Sequence, residues 1–290
     1  MVHLVRRANG TAPLARFLAS CDRHPAGAGH DLVLVFKGFP GDRVVQEYEA
    51  LLAGRPHQRL FVRDAGYDIS AYLAAARELP HSYLCFLNSF SVALAPDWLA
   101  ILYSQAIRRE VGIAGATGSY LSLRSALDHP PYLNPNHPRY KQFLLKWFPV
   151  LRTARNFALR PVYNRLYDPF PNYHVRTNSF LMRREIMLAI PAPRIRPKFQ
   201  AHSFESGRKG LTRQVIAMGK LPIIVGKDGR GYPPEEWHLS DTFWQSNQQN
   251  LLVADNRTEH YRKGSLETRR YYAVHAWGRF ARPESPQESA

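Results

Sequence analysis

The chain has 290 residues, of which 45% are hydrophobic and 12% aromatic. This is enough apolar material for a sizeable core, and it excludes a wholly disordered chain. No apolar run approaches the roughly 20 residues that a membrane-spanning helix needs, and residues 1–7 lack the apolar stretch of a secretory signal. The sequence therefore predicts a cytoplasmic protein.

The positive charge of the chain is concentrated in one region. Lysine and arginine number 39 against 23 acids, and residues 139–230 alone hold 19 basic residues against four acids. A basic field of this size favours a polyanion, a phosphorylated small molecule or an anionic membrane surface as partner.

Short apolar runs alternate with amphipathic stretches along most of the chain, which is typical of an α/β protein. Strands are predicted over residues 2–6, 31–36, 58–63, 83–87, 111–116, 175–182 and 221–225. Helices are predicted over residues 13–21, 43–53, 69–78, 96–109 and 211–218. Strands separated by helices need crossover connections, so we expect a mostly parallel central sheet flanked by helices.

Residues 128–172 differ in composition from the rest of the chain. They begin with a proline-rich stretch and continue as a basic, aromatic segment. Apolar residues recur in it at helical spacing, namely Tyr140, Leu144, Trp147 and Leu151. The cations around them are Lys141, Lys146, Arg152 and Arg155. This pattern predicts a basic helical insertion. The insertion either packs on the sheet or binds peripherally to the anionic inner face of the membrane.

The insertion divides one predicted domain, residues 1–280, into a first part (1–127) and a last part (173–280). Residues 281–290 are polar, and we expect a disordered tail there.

Ligands of open α/β sheets bind beyond the carboxyl ends of the strands. The turns at that edge are residues 37–38, 64–68, 88–91 and 117–119. In the second turn, Asp64 and Asp68 flank Gly66. Asp68 is expected to cap the following helix, and either carboxylate can accept a hydrogen bond from a nucleobase or a sugar hydroxyl.

In the third turn, Asn88, Ser89 and Ser91 follow an apolar strand. Their side chains suit ribose or diphosphate oxygens, although a turn without a ligand would look similar. The paired carboxylates that chelate a hard divalent ion are absent from this turn.

Glu205 is one of the few acids in the basic region and is followed by Arg208 and Lys209. It is either a structural ion pair or a general base whose ionised form these cations favour. Nearer the end of the chain, Trp237, Trp244 and the segment 255–257 supply polar and aromatic groups without a motif that assigns a role. P-loop, dinucleotide-binding, zincin and nucleophile-elbow motifs are all missing from the sequence.

The order of these segments resembles that of GT-A fold glycosyltransferases, in particular bacterial family 2 and rhamnan-synthesis-type enzymes. The resemblance covers about residues 1–125 and 173–232. The segments that carry it are Lys37-Gly38, Gly66-Tyr67-Asp68, the strand leading into Asn88-Ser89-Phe90-Ser91, residues 111–118, residues 176–185 and Glu205-Ser206.

The resemblance implies an inverting glycosyltransferase that moves a sugar from a nucleotide-sugar donor to a glycan or a lipid-linked acceptor. Residues 1–127 would form the nucleotide-binding half and residues 173–280 the acceptor half, with Glu205 as the base. The implied donor-binding residues are Lys37, Asp64, Gly66, Asp68, Asn88, Ser89 and Ser91. The implied acceptor or diphosphate residues are Arg176, Asn178, Arg208 and Lys209.

The segment Asn88-Ser89-Phe90 stands where the family has an acidic metal-binding motif, so the use of Mg or Mn stays open. Two other functions also stay open. One is an inactive GT-A domain that serves as a binding module. The other is a basic nucleic-acid-binding protein, which is the weaker alternative because no RRM-like, KH or helix-turn-helix signature is present.

Overall fold

An eight-stranded sheet forms the centre of the computed structural model, which describes residues 1–41, 46–127, 149–191 and 198–282 together with Tyr140 and Phe143. The strands are β1 (Val2–Arg6), β2 (Val33–Lys37), β3 (Gln58–Val62), β4 (Tyr83–Leu87), β5 (Val92–Ala93), β6 (Val111–Gly115), β7 (Gly118–Ser119), β8 (His174–Val175), β9 (Ser179–Arg183), β10 (Leu221–Val225), β11 (Gly231–Tyr232) and β12 (Val253–Ala254). The α-helices are α1 (Ala12–Arg23), α2 (Gln46–Leu52), α3 (Tyr67–Glu78), α4 (Trp98–Ala106), α5 (Pro149–Leu166), α6 (Arg184–Ala189), α7 (Lys198–Ser206), α8 (Leu211–Ala217), α9 (Asn256–Arg262) and α10 (Leu266–Trp277).

The strand order in the central sheet is β11-β10-β6-β9-β4-β1-β2-β3. Strand β9 runs antiparallel to its neighbours β4 and β6, and β11 runs antiparallel to β10, whereas the other pairs are parallel. Two short antiparallel ladders, β5 with β12 and β7 with β8, lie outside this sheet. The α/β class and the mostly parallel sheet flanked by helices are confirmed.

Two buried apolar clusters cover the two faces of the sheet. Successive side chains of β2 point to opposite faces of the sheet. Val33 and Val35 therefore belong to one cluster, and Leu34 and Phe36 belong to the other. Helices α3, α6 and α8 pack on the first face, and α1 and α4 pack on the second. Helices on both faces leave the strand ends as the accessible edge of the sheet.

The predicted strand over residues 175–182 is wrong in one respect. The chain forms two strands there, β8 and β9, and residues 176–178 leave the ladder between them. The apolar pattern does not reveal this break because the backbone amide of Thr177 donates to the carboxylate of Glu205 rather than to a neighbouring strand.

The predicted helical insertion is described only in part. Helix α5 lies within it, while residues 128–139, 141–142 and 144–148, including Lys141, Lys146 and Trp147, lie outside the described residues, as do residues 42–45 and the tail 283–290. Across the described ranges, none of the helices combines the length and the apolar character that crossing a bilayer requires.

Candidate functional site

A cavity of about 630 Å³ opens beyond the end of β4, beside the first turn of α3 and the last turns of α7. Five residues predicted from the sequence line it: Asp68, Asn88, Arg176, Asn178 and Glu205. They come from four separate stretches of chain, so the fold gathers them at one edge of the sheet.

Five of the seven predicted donor residues lie outside the cavity lining: Lys37, Asp64, Gly66, Ser89 and Ser91. Lys37 is buried behind α3, where its ammonium donates to the backbone carbonyl of Tyr67. Asp64 forms an ion pair with Arg6 at 3.1 Å. Each of these two side chains is held by its own partner, and neither reaches the lining.

Gly66, also outside the lining, occupies the position before α3 with φ 70°, and no side chain caps this helix. The predicted capping role of Asp68 is therefore wrong, because α3 begins at Tyr67 and Asp68 already lies in its first turn. Asp68 instead faces the cavity, and burial raises the pKa of its carboxyl although Lys37 acts in the opposite direction.

The turn after β4 is held by its own hydrogen bonds. The side-chain oxygen of Asn88 accepts from the amide of Phe90 at 2.9 Å and from the hydroxyl of Ser91 at 3.2 Å. Ser91 and Ser89 are buried and do not line the cavity, so only Asn88 of this predicted trio reaches it.

The cations that follow Glu205 in sequence face away from the cavity. Arg208 lies 3.3 Å from the carboxylate of Asp168, and Lys209 is exposed. Helix α7 ends at Ser206, and the chain then turns toward Asp168. Neither Arg208 nor Lys209 is brought to the lining.

Glu205 sits in the last turn of α7 with one carboxylate oxygen engaged. Its Oε1 accepts from the backbone amide of Thr177 at 2.9 Å and from the Thr177 hydroxyl at 3.2 Å. Burial acts to raise the pKa of Glu205, but His174, Arg176 and the Thr177 amide together hold the pKa below its ordinary value of 4.5. The carboxylate is therefore ionised at neutral pH.

Arg176 anchors a buried polar network at the back of the cavity. Its Nη2 donates to Asp255 Oδ2 at 2.8 Å, and its guanidinium lies 4.1 Å from the centre of the Phe243 ring. The other oxygen of Asp255 accepts from the amides of Arg257 and Thr258 at 3.0 and 2.9 Å and so caps α9. Thr117 continues the network by donating to Asn178 Oδ1 at 2.6 Å.

Arg257 is a cavity residue to which sequence reasoning assigned no role. Burial and the neighbouring Arg176 lower the pKa of its guanidinium, which nonetheless stays protonated. A usable signal was present in the sequence. Asp255-Asn256-Arg257-Thr258 has the pattern of a helix start, and a cation is unfavourable in a first turn unless something else holds it there.

One wall of the cavity is aromatic and also carried no prediction: Phe243, Trp244, Tyr271 and Tyr272 line it. Trp244 has φ 45°, a conformation that is costly for a residue with a bulky side chain. Its indole donates to the carbonyl of Arg257 at 3.2 Å, and its amide donates to Gln248 Oε1 at 3.0 Å. These bonds tie the aromatic wall to the helix that carries Arg257.

The cavity residues do not fit a divalent metal ion. Mg or Mn needs several oxygen ligands, mainly carboxylates, and the described part of the chain holds no group of three or more His, Cys, Asp or Glu that could bind one. Asp255 uses both oxygens within the network, and the side-chain oxygen of Asn88 is taken by its own turn.

No protein-family model matches this chain, and no curated protein matches it. Among solved structures, it is similar to the mannosyltransferase PcManGT from Pyrobaculum calidifontis in complex with GDP-Man and Mn2+, with 11% identity, TM-score 0.44, and coverage of 83% of this chain and 59% of that one. It is also similar to glucosyl-3-phosphoglycerate synthase from Mycobacterium tuberculosis, with 12% identity, TM-score 0.37, and coverage of 74% and 62%. A third similar structure is a putative glucose-1-phosphate thymidylyltransferase from Bacillus anthracis, with 9% identity, TM-score 0.41, and coverage of 80% and 87%.

These solved structures are transferases of sugars and of nucleotides, and the chain spans only about three fifths of the length of the first two. The likeness is one of low-identity, GT-A-like architecture. At these TM-scores it says nothing about activity.

Proposed function

We propose that this protein transfers a sugar from a nucleotide diphosphate donor to an acceptor hydroxyl, with inversion at the anomeric carbon. The observation that carries the proposal is one cavity, at the carboxyl edge of the sheet, which holds an ionised carboxylate, a cation and polar strand-end groups. The carboxylate is that of Glu205, the cation is Arg257, and the polar groups are Asp68 and Asn88. The fold and this set of groups suit a donor whose charged diphosphate and polar sugar need different partners.

Glu205 is the proposed base. Its Oε1 is engaged by Thr177, whereas Oε2 accepts no hydrogen bond within the described part of the chain, so this second oxygen is available to a substrate. In the reaction, the acceptor oxygen forms a bond to the anomeric carbon and gives its proton to Glu205. The bond from that carbon to the diphosphate breaks, and the diphosphate leaves with the electron pair.

Asp68 and Asn88 are proposed to hold the nucleoside or the sugar of the donor. They lie in the first turn of α3 and directly after β4, at the crevice where α/β sheets bind ligands. The aromatic wall offers ring faces on which a nucleobase or the apolar face of a sugar can pack.

A second candidate function is binding of the nucleotide sugar without turnover. The lowered pKa of Glu205 favours it, because a carboxylate of low pKa is a weak proton acceptor. Turnover therefore decides between an enzyme and a binding module.

The test uses the whole chain with a panel of UDP-, GDP- and dTDP-sugars, measuring binding by calorimetry and release of nucleoside diphosphate over time. We expect one donor class to bind and to be turned over.

Glu205→Gln should lower kcat by roughly 10²- to 10⁴-fold with little change in donor affinity, since it keeps the shape of the side chain but cannot accept a proton.

Two further variants separate the donor side from the base. Asp68→Ala should weaken donor binding, whereas the matched control Asp64→Ala, which changes a carboxylate paired with Arg6 just before α3, should leave it unchanged. Binding without release would support the binding module instead. If no nucleotide sugar binds, both functions are wrong.

A further inference from the structure

Two of the three acids that line the cavity, Asp255 and Glu205, already hold groups of the protein. Asp255 is 1% exposed, its Oδ2 is paired with Arg176 and its Oδ1 caps α9. Glu205 gives one oxygen to Thr177. The charge that a donor diphosphate brings into this cavity therefore has to be met by cations of the protein.

Arg257 is the cation in a position to do so. It lines the cavity, and its guanidinium forms no hydrogen bond or ion pair with the residues that the structure describes. The carboxylates of Glu205 and Asp255 attract this guanidinium electrostatically but form no ion pair with it. A planar guanidinium without a partner is suited to bidentate binding of phosphate oxygens.

Hydrogen bonds to the backbone of Arg257 fix its position. The amide of Arg257 donates to Asp255, whose other oxygen holds Arg176, and the carbonyl of Arg257 accepts from the indole of Trp244. Backbone bonds on both sides hold the main chain while leaving the guanidinium free. Such preorganisation reduces the cost of binding an anion.

A second donor without a partner lines the same cavity. Asn178 is 3% exposed, its side-chain oxygen accepts from Thr117, and its amide nitrogen Nδ2 is buried and makes no hydrogen bond to any residue that the structure describes. Buried amide donors are rarely left unpaired in folded proteins.

We propose that Arg257 binds the diphosphate of the donor and that this binding requires no divalent cation. The inference rests on the proposed function, because it assigns the leaving group of that reaction to a residue. As the bond to the sugar breaks, negative charge grows on the diphosphate, and a fixed cation at that point stabilises the change.

The experiment measures binding of UDP, GDP and inorganic pyrophosphate to the whole chain by calorimetry, once with EDTA and once with MgCl₂. We expect at least one diphosphate to bind equally well in both conditions. Arg257→Gln should weaken that binding by about 10- to 100-fold, and Arg257→Lys should recover part of it.

The matched control is Arg262→Gln on the same helix. It removes the same charge from an exposed position, where Arg262 pairs with Glu259 at 2.9 Å, so the affinity should not change. Circular dichroism of each variant checks that the fold is intact.

Diphosphate binding that appears only with Mg²⁺, or that is unaffected by Arg257→Gln, overturns this inference and leaves the proposed function standing. Binding of none of the three probes in either condition, together with no binding of nucleotide sugars, overturns both.

Discussion

His3 is a buried histidine in the centre of the sheet. It is fully buried, its ring stacks on Phe17 with centroids 3.8 Å apart, and neither ring nitrogen has a hydrogen-bond partner in the described part of the chain. Burial lowers the pKa of His3 from 6.5 to about 3, so the folded protein keeps this ring neutral.

The lowered pKa predicts a loss of stability in acid. The unfolded chain takes up a proton at His3 near pH 6.5 and the folded chain does not, so the free energy of unfolding falls as pH drops below 6.5. The contribution of this residue is about 1 kcal/mol per pH unit until its folded pKa is reached. Urea unfolding at pH 7 and pH 5 should show a shallower pH dependence for His3→Leu than for the natural protein. Equal pH dependence in both proteins would contradict this assignment.

The sequence placed Asp68, Asn88, Arg176, Asn178 and Glu205 at a common site, and they line one cavity. Asp68, Asn88 and Glu205 could be predicted because strand ends and an isolated acid in a basic region are visible along the chain, whereas Arg176 and Asn178 were implied only by the family resemblance. The partners of Glu205 could not be predicted in the same way. Arg208 and Lys209 are its neighbours in sequence, but the cations that act on Glu205 are Arg176 and Arg257, which the fold brings from other elements.

At the scale of elements, α9 is joined to the rest of the site through Asp255. This side chain caps the helix and also neutralises Arg176, whose side chain is 9% exposed. One carboxylate therefore supports both the start of the helix and the buried guanidinium. Removing it leaves a buried charge without a partner.

Asp255→Ala should lower the free energy of unfolding by about 3–5 kcal/mol, because a broken buried ion pair leaves an uncompensated charge. Asp255→Asn keeps an oxygen for the helix cap, worth about 1 kcal/mol, and should cost less. Urea denaturation of the three proteins measures these differences. A loss below about 0.5 kcal/mol for Asp255→Ala would show that the ion pair contributes nothing to stability.

The strands from β1 to β4, with β6 and β10, follow from apolar runs and the turns that bound them. The break between β8 and β9 does not, because residues 176–178 leave the sheet for hydrogen bonds with Glu205 of α7 and with Thr117, which are distant in sequence. The two-residue strands β5 and β12 pair with each other across the chain and are too short to give a periodic signal.

At the scale of the whole molecule, α5 projects basic and apolar side chains into solvent. Phe157 is 78% exposed and Val162 is 46% exposed, and Arg155 and Arg165 are exposed on the same helix. Aromatic and aliphatic side chains can enter the headgroup boundary of a bilayer while cations meet anionic lipid. We propose that α5 contacts an anionic membrane surface.

Co-sedimentation with vesicles tests this contact. Binding should appear with phosphatidylserine-containing vesicles, weaken as salt rises, and fall when Phe157→Ser is combined with Arg155→Gln and Arg165→Gln, since each cation contributes about 1 kcal/mol. Arg262→Gln serves as a control for the loss of charge. Equal binding to neutral and anionic vesicles, or none to either, would contradict the proposal.

The cavity between α3, α7 and α9 is the proposed donor site. The most direct measurement is a crystal structure of the whole chain with the nucleoside diphosphate that binds best in calorimetry. We expect electron density in this cavity, with the nucleoside beside Asp68 and Asn88 and the diphosphate on Arg257. A nucleotide bound elsewhere on the molecule, with this cavity empty at saturating concentration, would contradict it.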